Sequence, residues 1–128
     1  MNFSLFLPWP PALNHYYRSV TIHGRARVLI SKDGRKYQET VSAYCMAQRA
    51  PRALSHRLCV RLYLNPPDRR RRDIDGTLKA LLDALTKAGV WLDDSQIDEL
   101  HITRGAVKAG GAVTVQIEAM PEWARAAA

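Results

Sequence analysis

Between Pro67 and Glu99 the chain reads PDRRRRDIDGTLKALLDALTKAGVWLDDSQIDE, a spacing of charges suited to chemistry on phosphate. Four arginines, Arg69, Arg70, Arg71 and Arg72, run directly into Asp73 and Asp75; Lys79 comes four residues later, and the acidic pair Asp93–Asp94 closes the stretch. Mg²⁺ takes hard oxygen ligands, usually one or two carboxylates, and fills its octahedron with water and phosphate oxygens. A bare carboxylate cluster repels a polyanion, so surrounding cations are needed to hold such an ion against a phosphate chain. Two ions about 4 Å apart can stabilise both the attacking and the leaving oxygen of an in-line phosphodiester cleavage. Asp73, Asp75 and Asp94 are the candidate ligands, and Lys79 is the candidate cation for the scissile phosphate. Asp93 competes with Asp94, because neighbours in an extended segment point opposite ways and only one easily faces a metal.

Each of these groups has a plainer use. Asp75 suits the N-cap of a helix, an arginine run is commonly a solvated patch, and Asp83 can be simply an ion-pair partner for Lys79 or Lys87. A capping aspartate needs neither four arginines before it nor an acidic pair after it. Their adjacency favours the metal reading.

The elements that would position these residues are partly legible. Residues 56–64 alternate, with Leu58, Val60, Leu62 and Leu64 on one face, and Asn65-Pro66-Pro67 ends the strand just before the arginines. Residues 76–88 read as a helix, because Leu78, Leu81, Leu82 and Leu85 follow the i, i+3, i+4, i+7 pattern and Gly89 supplies the stop. Residues 97–104 and 112–118 read as strands around a loop at 105–111, and residues 2–7 as a first strand stopped by prolines. Residues 20–30 predict a hairpin turning at His23-Gly24, carrying Arg25 and Arg27. Residues 31–34 read as a turn and 35–49 as a helix whose stripe of Tyr37, Val41, Tyr44, Cys45 and Gln48 is core packing. The cluster Asn14, His15, Tyr16, Tyr17 and Arg18 fits core tyrosines beside a loop at least as well as contacts to phosphate or a splayed base. The tail from Ala119, with Trp123, is expected to dock loosely.

At 128 residues the chain is expected to be one domain, 1–128, able to bury roughly two-thirds of its unfolded surface. Its net charge is +7, unevenly spread: residues 1–67 carry ten Lys/Arg against two Asp/Glu, and residues 68–128 carry nine against ten. Acidity is thus gathered near the proposed site while the other half supplies a basic field, which concentrates polyanions. No run approaches the ~18 apolar residues of a membrane span, and the N-terminus lacks a basic leader region, so a soluble cytoplasmic protein is expected. Cys45 and Cys59 are expected to be free and buried, and the four histidines form no zinc-ligand spacing with each other or with the cysteines.

Arg72-Asp73-Ile74-Asp75, then Lys79, Leu82-Asp83-Ala84-Leu85, Ala88-Gly89-Val90-Trp91 and Asp93-Asp94-Ser95-Gln96-Ile97 together resemble the RusA family of Holliday-junction resolvases. The early Asn14-His15-Tyr16 and the region from Leu29 to Tyr37 extend the resemblance over most of the chain. It implies an α+β domain, a mixed sheet of about four to six strands packed with two main helices. It also implies a homodimeric, Mg²⁺-dependent endonuclease of phage or prophage origin, with Mn²⁺ as a substitute ion, that cuts four-way DNA by paired symmetric nicks. By the same resemblance the carboxylates are Asp73, Asp75 and Asp94 and the lysine is Lys79. Gly76 stands where the family commonly has Asn. Arg18, Arg25, Arg27 and Arg69 to Arg72 are then the residues for flanking DNA phosphates. Two other classes fit less well: a catalytically silent basic DNA-binding protein, and a nucleotide phosphohydrolase, for which no glycine-rich phosphate loop exists. A metal-dependent nuclease of other branched DNA is a closer variant.

Overall fold

The computed structural model describes residues 2–126. In chain order the elements are β1 (Asn2–Leu7), α1 (Leu13–Tyr16), β2 (Tyr17–Ile22), β3 (Arg25–Ile30), α2 (Lys32–Ala47) and β4 (Leu58–Asn65). There follow α3 (Leu78–Lys87), a 3₁₀ turn (Asp94–Gln96), β5 (Ile97–Arg104), β6 (Ala112–Ala119) and α4 (Glu122–Ala126). The result is an α+β domain with two main helices, as expected. Residues 127 and 128, the last of the alanine tail, lie outside the described residues. Among the described residues no helix is long and apolar enough to cross a membrane.

The alternation in β4 sets the core. Leu58, Val60, Leu62 and Leu64 are at most 3% exposed and form one face with Leu5 and Leu7 of β1 and Val113, Val115 and Ile117 of β6. The four-stranded sheet has the order β1-β6-β4-β5: β6 is antiparallel to both neighbours, and β5 is parallel to β4. A parallel partner requires a crossover, and α3 is that crossover. Its apolar stripe, Ala80, Leu81, Ala84 and Leu85, is buried in the same core together with Tyr37, Val41 and Cys45 of α2. Tyr44 is 42% exposed and lies off that stripe, whereas Gln48 pairs with the backbone of Phe6 through both ends of its amide. Leu100 is 37% exposed, because β5 is the edge strand.

Among the boundaries that differ from the sequence reading, three element starts have a local reason. Helix α2 begins at Lys32, earlier than residue 35, since Ser31 Oγ accepts the Gly34 amide at 3.0 Å and caps it. The hairpin strands reach back to Tyr17, with His23 and Gly24 both at positive φ, the backbone of a two-residue primed turn. Helix α3 begins at Leu78, two residues after the expected start. Thr77 occupies the cap position, and Asp75 does not cap it with its side chain. At the other end Gly89 stops the helix as expected, at φ 81°.

A candidate phosphodiester site

The loop from Pro66 to Thr77 leaves the carboxyl end of β4, where open α/β units commonly place ligands. Its shape comes from its own charges. Asp68 Oδ1 accepts from Arg72 Nη1 at 2.7 Å and from the Arg70 amide at 2.9 Å. These donors, Arg72 first, hold the Asp68 carboxyl down at about 2. Arg72 also lies over the Trp9 ring, 5.9 Å from its centroid, and its carbonyl accepts from Arg104 Nη2 at 2.6 Å. One arginine of the four is therefore locked in the loop. Arg69, Arg70 and Arg71 are exposed.

After Arg72 the backbone turns tightly: the Gly76 amide donates to the Asp73 carbonyl at 3.1 Å, and Leu78 to that of Asp75 at 3.1 Å. Leu13, at the start of α1, donates to the Gly76 carbonyl at 3.0 Å and docks this turn on the molecule. A Cβ added at Gly76 would stand 3.3 Å from the Asp73 carbonyl, so the glycine lets the turn close tightly. Asp73 and Asp75 are exposed and line a hollow of about 580 Å³ with Asn14, Arg71, Arg72 and Thr77. Thr77 Oγ1, in the same wall, is buried and has no hydrogen-bond partner among the described residues.

Asp94 lines a second hollow with Lys79, Asp83, Thr86, Lys87 and Asp93. The start of β5 aligns with the start of β4, Ile97 opposite Leu58, whereas Asp73 and Asp75 follow the end of β4. The carboxylates of Asp73, Asp75 and Asp94 do not gather with all three ligand oxygens within 4.8 Å of one another. Lys79, in the first turn of α3, is a cation of this second hollow. It stands four residues after Asp75, Asp83 lies 3.1 Å from its Nζ, and Asp94 also acts on its charge. The Asp83 hydrogen bond foremost raises its pKa, so the lysine is a cation throughout the neutral range.

Two features here were not drawn from the sequence, although Asp93 and Gln96 stand at the spacing of a capping box. Asp93 accepts the Ser95 amide at 3.1 Å, and Gln96 Oε1 accepts the Asp93 amide at 2.8 Å, a reciprocal capping box that occupies Asp93 and leaves Asp94 as the uncommitted member of the pair. Tyr16, fully buried, donates to Asp83 at 3.0 Å and accepts from Gln38 at 2.8 Å. Burial first, then Asp83, pushes its phenol well above the ordinary tyrosine range. The plainer reading of the tyrosine cluster thus holds for Tyr16, which fixes the partner of Lys79.

On the hairpin, Arg18 pairs with Leu29, Val20 with Arg27 and Ile22 with Arg25. Cross-strand partners and residues two apart share a face, so Arg18, Arg25 and Arg27 all project from one side of the ribbon.

The donor set suits a hard divalent ion. Asp73, Asp75 and Asp94 are carboxylates, none of them in an ion pair among the described residues, and an ion that keeps several waters does not need all three in contact.

The family model described as endodeoxyribonuclease RusA matches residues 8–118. Over 119 residues the chain is 40% identical to the crossover junction endodeoxyribonuclease RusA of Shigella sonnei, covering 93% of this chain and 96% of that protein. Proteins of the same name from Escherichia coli and Enterobacteria phage 82 are 39% identical over the same length and with the same coverage. A model that spans most of the chain, and relatives this similar from end to end, show that the chain belongs to the RusA family of endodeoxyribonucleases.

Proposed function

We propose that this chain is a divalent-metal-dependent endonuclease that resolves four-way DNA junctions by paired nicks, acting as a homodimer with Mg²⁺ or Mn²⁺. The observation that carries the reading is the placement of Lys79. A lysine whose protonated form is favoured by Asp83 sits in the hollow of Asp94, in the first turn of α3 and just after the turn that carries Asp75, beside a loop lined with exposed arginines.

Asp73, Asp75 and Asp94 would hold the ion, which supplies an activated water and neutralises phosphate charge when bound. Lys79 offsets the charge that grows on the non-bridging oxygens as the phosphate becomes five-coordinate. Asp83, tied down by Tyr16, keeps that ammonium in place. Arg69, Arg70 and Arg71 bind flanking phosphates, and Arg72, clamped by Asp68 over Trp9, fixes the direction of the run. The hairpin offers Arg18, Arg25 and Arg27 from one face, and a two-stranded ribbon fits a DNA groove. Two copies about a two-fold axis would present two such sites to a nearly two-fold junction.

The test is a labelled four-way junction incubated with the protein, with and without Mg²⁺. Nicks on opposed strands, seen only with the ion, are expected. A shifted band with no nicks under either condition would replace this reading with that of a silent DNA-binding protein.

A further inference from the structure

Spacing along the chain shows no zinc motif, yet strand pairing assembles a set that spacing cannot show. In the parallel pair, Cys59 lies opposite Glu99 and Arg61 opposite His101; on the other side of β4, Cys59 lies opposite Glu118. These residues share the sheet face turned away from Leu58, Val60 and Leu62, and hence away from α3, Lys79 and the core. On that face Glu99 Oε2 is 3.5 Å from Cys59 Sγ and 3.3 Å from His101 Nε2, and the three ligand atoms all lie within 4.8 Å of one another.

Those separations can be checked against a metal. Tetrahedral zinc with Zn–S about 2.3 Å and Zn–N and Zn–O about 2.0 Å places sulfur and oxygen about 3.5 Å apart, and nitrogen and oxygen about 3.3 Å apart. The observed pairs already have that spacing. Thiolate, imidazole and carboxylate together select zinc over the hard ions suited to an all-carboxylate site. Arg61 Nη1, 3.7 Å from the sulfur, is the competing cation, and Glu118 lies 3.7 Å from the same nitrogen on the far side, ready to retain it.

We propose that Cys59, Glu99 and His101 form a zinc-class binding site on the open face of the β4–β5 pair, with three protein ligands and a fourth position for water. Binding releases the thiol proton to solvent and involves no change of oxidation state. Zinc there would tie the edge strand β5 to β4, independently of the nuclease reading.

Metal-free full-length protein titrated with Co²⁺ tests this. One equivalent should bring up a thiolate-to-cobalt absorption band with visible bands of tetrahedral intensity; zinc should abolish them and a large excess of Mg²⁺ should not. His101→Ala, at a half-exposed position that folding tolerates, should weaken binding at least tenfold. Cys59→Ser should remove the thiolate band, whereas Cys45→Ser and Asp75→Asn should keep it, the latter separating this site from the nuclease carboxylates. Absence of the band at one equivalent, its persistence in Cys59→Ser, or unweakened binding in His101→Ala would overturn the proposal.

Discussion

Asp93 and Asp94 are neighbours in sequence with different surroundings, and the difference can be measured. Asp93 is bound to the Ser95 amide as a cap, so Asp93→Ala should lower Tm while leaving metal-dependent cleavage largely intact. Asp94→Asn should do the reverse, cutting the nicking rate a hundredfold or more at unchanged Tm. Thermal melts and single-turnover cleavage on the two variants separate these outcomes; equal losses of activity would remove the distinction. Tyr16→Phe leaves Asp83 and Gln38 short of a partner in a buried position and should cost about 1 kcal/mol of stability by urea denaturation. The same substitution loosens Lys79, so cleavage should slow even where the protein is fully folded.

At the scale of elements, the loop between β4 and α3 carries a pH signature. Asp68 is ionised more readily in the fold than in the unfolded chain, because Arg72 and the Arg70 amide donate to it. A depressed carboxyl contributes stability above the unfolded value, near 4, and loses it as pH falls toward about 2. Melts between pH 5 and 2 should therefore show a loss that is smaller in Asp68→Asn; parallel curves would mean the clamp contributes nothing. Much of this architecture was legible beforehand, because β4, β6, the hairpin and the leucine stripe of α3 are local periodicities. What escaped the sequence was non-local or a matter of turn geometry. The cap of α3 moved to Thr77 because Asp73 to Gly76 closed a turn of their own. Arg72 left the set of free cations because Asp68 lies four residues back and Arg104 approaches from β5. Cys59 and His101 met only through parallel pairing.

The whole molecule carries a net charge of +7, which favours association with a polyanion. If Arg25 and Arg27 each contact a phosphate, replacing both by Ala should flatten the salt dependence of junction binding by about two in the slope of log K against log salt. An unchanged slope would take the hairpin out of the DNA contact. Metal ligation by the carboxylates is probed by Asp75→Asn, with junction binding and Mg²⁺-dependent nicking measured on the same preparation. Loss of nicking with binding equal to or tighter than that of the unaltered protein is expected on the ligand role proposed for Asp75, since the substitution would remove a ligand oxygen and a negative charge together. Undiminished Mg²⁺-dependent cutting by that variant would contradict the assignment.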